Sequence, residues 1–381
     1  MRFSVIVLLA FVLPSAHAQM KLVQPLPADP SISALHDVNY RTVDRRTLKF
    51  DLYRPTGYAP SAPLRLAIFL NGTGNPEMRG WGQYTGWGRL VTTVGLAGVV
   101  FDTHPDGIGE DLDSLMEYLR EHRSDLHVDP DSTVLFACSA NARAGLPIVM
   151  DKRRTYLKAA VIYYGAGPVE QFRLDLPVFY VRAGLDGVGM NREIDQLVSR
   201  AVAANAPLTF VNFGAGHHGF DLVDDNDISR EIIAQSLEFM RSRLEPGFQQ
   251  TLRSDVTEAS AAAAVYRDEW PAAVSAYEAL SAARPTDSEV RRNFGNALLG
   301  AGQYARSIEQ YERALALGNR NVGWISYSAA IASAKLGDTE GALKWIDNLK
   351  DIEPMRKQLR MEPAFSSLRD NPRFKSIAEM N

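Results

Sequence analysis

A serine hydroxyl becomes an effective nucleophile when a histidine removes its proton and a carboxylate orients that histidine. This chain of 381 residues has candidates for the three roles in the order Ser139, Asp186 and His218. Attack of such a serine on a carbonyl carbon produces an acyl-enzyme, which water then hydrolyses. The three residues therefore predict acyl-transfer chemistry, provided that the fold brings them together.

Ser139 lies at the junction of a predicted strand and a predicted helix. The apolar, β-branched run Thr133–Ala137 leads into the small residues Ala137-Cys-Ser-Ala-Asn141. A sharp turn that exposes a nucleophile tolerates only small residues two positions before and after it, and this segment is a loose form of G-x-S-x-G. Cys138 is a rival nucleophile, but it would place the bulky Phe136 two positions before the apex. Ser139 is therefore favoured.

Asp186 follows another predicted strand. Residues 177–182 are typical of a buried strand, and they run into Ala183-Gly-Leu-Asp186. In parallel sheets the C-terminal ends of the strands form the functional edge, so we expect this carboxylate near Ser139. The alternative is that Asp186 only caps the helix predicted to begin near Asn191.

His217 and His218 compete for the role of base. Both lie in the glycine-rich loop Gly214-Ala-Gly-His-His-Gly219, after the predicted strand 207–213. A histidine in such a loop can place its imidazole between a serine and an aspartate. His218 is favoured because it directly precedes the last glycine, and His217 is then a supporting or surface residue. A metal site on the pair is disfavoured because no third ligand lies nearby.

Backbone donors for an oxyanion are predicted at two places. The strand Leu66–Leu70 ends in Asn71-Gly-Thr-Gly74, where small residues allow main-chain N–H groups to face the reacting carbonyl. One donor is assigned to the backbone of Gly72 or Thr73. The other is assigned to the backbone of Ala140, directly after the nucleophile.

Three aromatic residues follow this loop: Trp81, Tyr84 and Trp87. They are candidates for a wall that contacts the acyl or aromatic part of a substrate. Ordinary packing in the core is the alternative.

The region 40–245 alternates β-rich and helical segments, which indicates a mostly parallel sheet covered by helices. Several strands are nearly continuous runs of Val, Ile, Leu and Phe, as in strands buried on both faces. The first, Arg46–Tyr53, is expected to be an antiparallel edge strand. The predicted strands are 46–53, 65–70, 97–102, 133–137, 159–164, 178–182 and 207–213, and the predicted helices are 111–122, 143–150, 191–203 and 229–244.

After Pro246 the strand-like segments disappear, and alanine-rich helical sequence continues to the end. Ala273, Ser307 and Ala342 are spaced by 34 and then 35 residues, with small and aromatic residues in register around them. This period predicts helical repeats over residues 254–381, with a polar-faced closing helix over 361–377. A helical bundle with an accidental period is the alternative.

The N-terminus has the features of a secretory signal peptide. Arg2 precedes the apolar run Phe3–Leu13, and Ala16-His-Ala18 forms an A-x-A cleavage pattern. Residues 1–18 are therefore predicted to be removed on export to the periplasm or the medium, and residues 19–39 form an N-terminal extension. A permanent membrane anchor, the alternative, would need a longer apolar run. We expect contact with a membrane only before cleavage.

The composition of the chain limits the kinds of partner and cross-link that we expect. The net charge of −4 offers no basic surface for nucleic acid. Cys138 is the only cysteine, so an intrachain disulfide is excluded. The predicted chemistry requires neither a metal nor an organic cofactor.

Four segments carry a resemblance to a known family: Leu70–Gly74, Ala137–Arg143, Leu176–Asp186 and Gly216–Asp221. Together they resemble the α/β-hydrolase superfamily, and within it the dienelactone hydrolase-like and esterase-like bacterial members. Over residues 40–245 this implies an α/β-hydrolase fold and esterase chemistry, with Ser139 as nucleophile, His218 as base and Asp186 as orienting acid. Dienelactone hydrolases carry cysteine at the nucleophile position, where this chain has serine.

The C-terminal segment resembles tetratricopeptide repeats, which bind proteins or peptides on a concave surface. The sequence as a whole therefore predicts an exported carboxylic ester hydrolase that acts on a small ester or acylated substrate, with a repeat domain for a protein or peptide partner. One alternative is a catalytically silent scaffold that uses its repeats. Another is a serine peptidase similar to prolyl oligopeptidases, although the chain has no N-terminal propeller.

Overall fold

The computed structural model describes residues 21–26, 32–56, 62–73, 78–104 and 106–379. The predicted signal peptide, residues 1–18, lies outside the described residues, as does part of the 19–39 extension. The chain divides into two compact units, one up to Arg253 and one from Ser254 onward, with Ala203–Asn205 belonging to the second. No helix in the described ranges has the length and apolarity to cross a bilayer.

The first unit contains one sheet of eight strands within its described residues. Its order is β1-β2-β4-β3-β5-β6-β7-β8, and all neighbours are parallel except that β2 runs antiparallel to both β1 and β4. The strands are β1 (Ile32–Val43), β2 (Arg46–Pro55), β3 (Leu64–Phe69), β4 (Ala97–Phe101), β5 (Val128–Cys138), β6 (Leu157–Tyr163), β7 (Val178–Ala183) and β8 (Leu208–Phe213).

The prediction that Arg46–Tyr53 lies at the edge of the sheet is wrong. That segment is antiparallel, but Ile32–Val43 pairs along its outer side and forms the edge. Half of the residues of this edge strand are exposed and none is buried, and its register shifts near Asp37, which has a positive φ of 56°. An exposed, irregular edge strand has little apolar periodicity, so the sequence pattern did not reveal it.

Helices cover both faces of the sheet. In β3, Leu66 and Ile68 belong to one apolar cluster, and Ala67 and Phe69 belong to another, because successive side chains point to opposite faces. Helices α2, α4 and α5 pack in the first cluster, and α1 and α7 pack in the second. The helices are α1 (Gly82–Leu90), α2 (Ile108–Glu121), α3 (Arg123–Leu126), α4 (Asn141–Met150), α5 (Val188–Ala203), α6 (Phe220–Val223) and α7 (Asp227–Arg243). The prediction of a mostly parallel sheet covered by helices is therefore confirmed.

The second unit is helical. Consecutive helices between Trp270 and Asp347 contact each other, and close approach occurs at glycines: a Cβ on Gly295 would lie 2.5 Å from the Tyr311 ring, and one on Gly300 would lie 2.4 Å from Trp270. The helices are α8 (Pro246–Tyr266), which begins before the boundary, α9 (Trp270–Ala283), α10 (Ser288–Gly300), α11 (Tyr304–Ala316), α12 (Val322–Lys335), α13 (Thr339–Asp347), α14 (Glu353–Met361) and α15 (Pro372–Ala378). The tetratricopeptide identity of these helices remains a prediction.

The closing helix predicted over 361–377 is not continuous. A short 3-10 helix, Pro363–Leu368, precedes α15, which begins at Pro372. Proline lacks a backbone N–H and is favoured in the first turn of a helix, so each proline starts a new segment.

Candidate active site

Ser139 occupies a sharp turn between strand β5 and helix α4. Its φ of 53° lies in the left-handed region, which L-residues other than glycine rarely adopt. The segment after strand β6 leaves room for this turn only because residue 165 is glycine: a Cβ there would lie 2.3 Å from the carbonyl oxygen of Ser139 and 2.6 Å from Cβ of Ala142. The fold therefore lifts the serine out of the sheet at the C-terminal edge.

A hydrogen-bonded chain joins the three residues predicted to act together. Oγ of Ser139 lies 2.7 Å from Nε2 of His218, and Nδ1 of the same ring lies 2.7 Å from Oδ2 of Asp186. The second oxygen of Asp186 accepts from the backbone N–H of Gly187 at 2.6 Å. The imidazole is 44% exposed, whereas the aspartate side chain is only 9% exposed. The imidazole of His218 is thus accessible to solvent, whereas the carboxylate that binds it is largely shielded from solvent.

His217 points to a different partner. Its Nδ1 lies 2.8 Å from Oδ1 of Asp224, and its backbone N–H donates to Oδ2 of the same residue at 2.7 Å. His218 is therefore the histidine that contacts Ser139. Asp224 instead binds both the ring and the backbone of His217, and so holds the loop that carries the two histidines. Across the described ranges, no group of three or more metal-ligating side chains forms.

Cys138 is buried directly beneath the turn. Its side chain contacts the amide of Gln83 at 3.6 Å and the hydroxyl of Tyr84 at 3.8 Å. Burial raises the pKa of the thiol to about 12. Because the thiolate is the nucleophilic form of cysteine, this residue is a poor rival for Ser139.

The predicted backbone donors of the oxyanion site differ in availability. Thr73 donates its N–H to Oδ1 of Asn141 at 3.0 Å, so this donor is already occupied. Gly72 donates its N–H to the thioether of Met78, a weak acceptor, at 3.3 Å. Among the described residues, no acceptor faces the N–H of Ala140. Of the predicted donors, Gly72 and Ala140 are therefore the two whose N–H groups no oxygen of the described residues occupies.

Glycine is required at position 72. Its φ is 102°, and a Cβ there would lie 1.6 Å from Oγ1 of Thr103, which itself donates to the backbone oxygen of Asn71. The turn after β3 is thus held against the end of β4.

Tyr84 and Trp87 do not form part of the predicted aromatic wall. Tyr84 and Trp87 are buried in the core beneath the turn, at 2% and 0% exposure, and Trp81 packs at the margin of the same cluster. Because Tyr84 and Trp87 are buried, neither has a surface that a substrate could contact. The alternative interpretation, ordinary packing in the core, applies to both. Two exposed apolar side chains instead lie close to Asp186 in sequence: Leu185 directly precedes it, and Val188 follows two residues later.

Four polar residues that support the site escaped sequence analysis: Asn141, Gln83, Tyr164 and Asp221. Asn141 carried a signal, since it stands where G-x-S-x-G has its second glycine. Its amide bridges the backbone of Thr73 and, through Nδ2, the hydroxyl of Tyr84 at 2.7 Å. Gln83 and Tyr164 carried no signal, because their partners lie far away in the sequence. Asp221 ends the segment Gly216–Asp221 that carries the resemblance, but nothing in that segment predicts its buried hydrogen bonds.

No protein-family model matches this sequence, and no curated protein matches it. Among solved structures, the chain is similar to a fungal esterase from Rhizomucor miehei (16% identity, TM-score 0.47, 60% of this chain and 86% of that one). It is also similar to a bacterial heroin esterase (16%, 0.44, 58% and 87%) and to esterase 2 of Thermogutta terrifontis (21%, 0.43, 56% and 95%). The functional proposal rests on the geometry of the site itself.

Proposed function

We propose that this protein is an exported serine hydrolase that cleaves carboxylic esters through an acyl-enzyme. The observation that carries the proposal is the continuous chain Ser139–His218–Asp186, with 2.7 Å at each of its two links. The sharp turn at Ser139 and the available N–H of Ala140 supply the other parts that acyl transfer needs.

In the proposed reaction, Oγ of Ser139 attacks the ester carbonyl while Nε2 of His218 takes the hydroxyl proton. Asp186 accepts from Nδ1–H throughout and stabilises the imidazolium. The N–H groups of Gly72 and Ala140 hold the tetrahedral oxyanion until the C–O bond to the alcohol breaks and His218 returns its proton to the leaving oxygen. His218 then takes a proton from water, whose oxygen attacks the acyl carbon. The bond from this carbon to Oγ of Ser139 breaks, His218 returns the proton to Oγ, and the acid is released.

We propose esters rather than peptides as substrates. An oxyanion donor contributes about 3–4 kcal/mol of transition-state stabilisation, and the proposed reaction uses two such donors, Gly72 and Ala140. An ester carbonyl is more reactive than an amide carbonyl and needs less of this stabilisation. The substrate is therefore a small ester or acylated molecule, and the helical unit serves a protein or peptide partner.

Covalent labelling tests this proposal. We expect a fluorophosphonate to modify the protein at Ser139, identified by peptide mass spectrometry, and we expect no labelling of Ser139→Ala. Failure of the wild-type chain to label would favour the silent scaffold. Cleavage of peptide substrates in preference to esters would favour the peptidase.

A further inference from the structure

A carboxylate is buried three residues after His218. The side chain of Asp221 is fully enclosed, with 0% exposure, and burial raises its pKa. Among the described residues it forms no ion pair with a lysine, arginine or histidine. Burying an unpaired carboxylate is costly unless hydrogen bonds compensate for the lost hydration. The proposed reaction makes no use of this group, so its presence requires another explanation.

Three side chains supply the compensating hydrogen bonds. Tyr164 donates its hydroxyl to Oδ1 of Asp221 at 2.5 Å. Oδ2 accepts from Nε1 of Trp87 at 3.0 Å and from Nε2 of Gln83 at 3.1 Å. Trp87 and Gln83 lie on helix α1, and Tyr164 directly follows strand β6. Asp221 thus ties the segment that carries His218 to two other elements of the fold.

Tyr164 connects this carboxylate with both reacting residues. Its ring lies against the His218 imidazole, with 4.9 Å between ring centroids. The next residue is Gly165, whose Cα faces the backbone of Ser139. Tyr164 also has a positive φ of 30°, a conformation that costs energy and persists only where its surroundings hold it.

We propose that Asp221 and Tyr164 are positioning residues, which set the distance between the His218 imidazole and the Ser139 hydroxyl. The proposal rests on the proposed hydrolase function. Tyr164 limits how far the imidazole can move toward the sheet, and its hydrogen bond to Asp221 fixes the turn on which His218 is carried. A general base must stay within hydrogen-bond reach of the proton that it removes, and displacement by 1 Å can cost roughly a hundredfold in rate.

The test compares two neighbouring buried tyrosines. Tyr164→Phe removes the hydroxyl that faces Asp221 and keeps the ring on His218. The control, Tyr163→Phe, removes a buried hydroxyl that bonds instead to Ser236 at 2.6 Å. For each variant of the full chain, kcat and KM for p-nitrophenyl acetate, the rate of fluorophosphonate labelling and the melting temperature are measured.

We expect Tyr164→Phe to lower kcat and the labelling rate by about tenfold or more, with KM within about twofold of wild type. Tyr163→Phe should lower the melting temperature by a similar amount and leave kcat within about twofold. Equal kcat values for the two variants would overturn the positioning role. So would a change confined to melting temperature.

Asp221→Leu, of similar size and without hydrogen-bonding groups, should reproduce the loss of kcat, whereas Asp221→Asn, which can still accept from Trp87, should lose less. If Asp221→Leu does not fold, the comparison of Tyr164→Phe with Tyr163→Phe still tests the positioning role.

The two proposals fail in different ways. If the wild-type chain is active and Tyr164→Phe has the same kcat and labelling rate, only the positioning role is contradicted. A wild-type chain that neither hydrolyses ester nor labels contradicts the proposed function, and the positioning role with it.

Discussion

The side-chain oxygen of Asn141 accepts the backbone N–H of Thr73 at 3.0 Å, and this bond joins the turn of the nucleophile to the loop after strand β3. The same amide donates to the buried hydroxyl of Tyr84 at 2.7 Å. A residue at the position of the second glycine in G-x-S-x-G thus uses one potential oxyanion donor to hold the loop in place. The loop keeps Gly72 as its available donor.

Removing this amide should weaken both the fold and the reaction. In Asn141→Ala, the N–H of Thr73 and the hydroxyl of Tyr84 lose a partner, and an unsatisfied buried group costs about 1–3 kcal/mol. We expect a lower melting temperature together with a lower kcat for p-nitrophenyl acetate. Asn319→Ala is the control: this asparagine of the helical unit is also buried and donates to the backbone oxygen of Ser288 at 3.0 Å. A kcat as high in Asn141→Ala as in the control would contradict the role of the bridge.

The carboxylate behind His218 should matter far more for the reaction than the His217 ring does. Asp186→Asn keeps the shape but favours the wrong imidazole tautomer, so kcat should fall by about 10³–10⁴ with a small change in KM. His217→Ala removes the ring that pairs with Asp224, and its kcat should stay within about twofold of wild type. Steady-state kinetics of both variants provide the measurement. A greater loss in His217→Ala would reverse the assignment of the base.

Much of the site follows from the order of residues at strand ends. Asp186 and His218 could be placed beside Ser139 because the C-terminal ends of parallel strands share one edge of the sheet. The buried supports could not be predicted in this way. Gln83 and Trp87 lie on one helix, and their bonds to Asp221 span more than a hundred residues, so no local pattern marks them. Trp87 shows the limit most clearly, since an aromatic residue after the oxyanion loop fits a substrate wall and a core equally well.

The thiol next to the nucleophile should be inert. Burial raises the pKa of Cys138 to about 12, so the thiolate is scarce near neutral pH. We expect iodoacetamide at about pH 8 to leave ester hydrolysis unchanged, and Cys138→Ala to retain kcat/KM within about threefold. Inactivation by iodoacetamide that is absent in Cys138→Ala would show instead that the thiol takes part.

Asp221 should make stability depend on pH. Burial raises its folded-state pKa above the ordinary value of 3.8. Such a carboxyl binds its proton more tightly in the folded state, so its contribution to the free energy of unfolding is fully present below pH 3.8 and is lost as the pH rises through the folded-state pKa. The melting temperature of wild type relative to Asp221→Asn should therefore fall as the pH rises from about 4. Calorimetry of both chains over a pH series measures this difference, and a constant or rising difference would contradict the account.

The central claim is that the hydroxyl of Ser139 performs the reaction. Its most direct test is the rate of p-nitrophenyl acetate hydrolysis by wild-type protein and by Ser139→Ala, purified in the same way and compared at equal concentration. We expect kcat/KM to fall by at least about a thousandfold in the variant, because the loss of a nucleophile removes the acyl-enzyme route. Equal rates for the two proteins would contradict the claim.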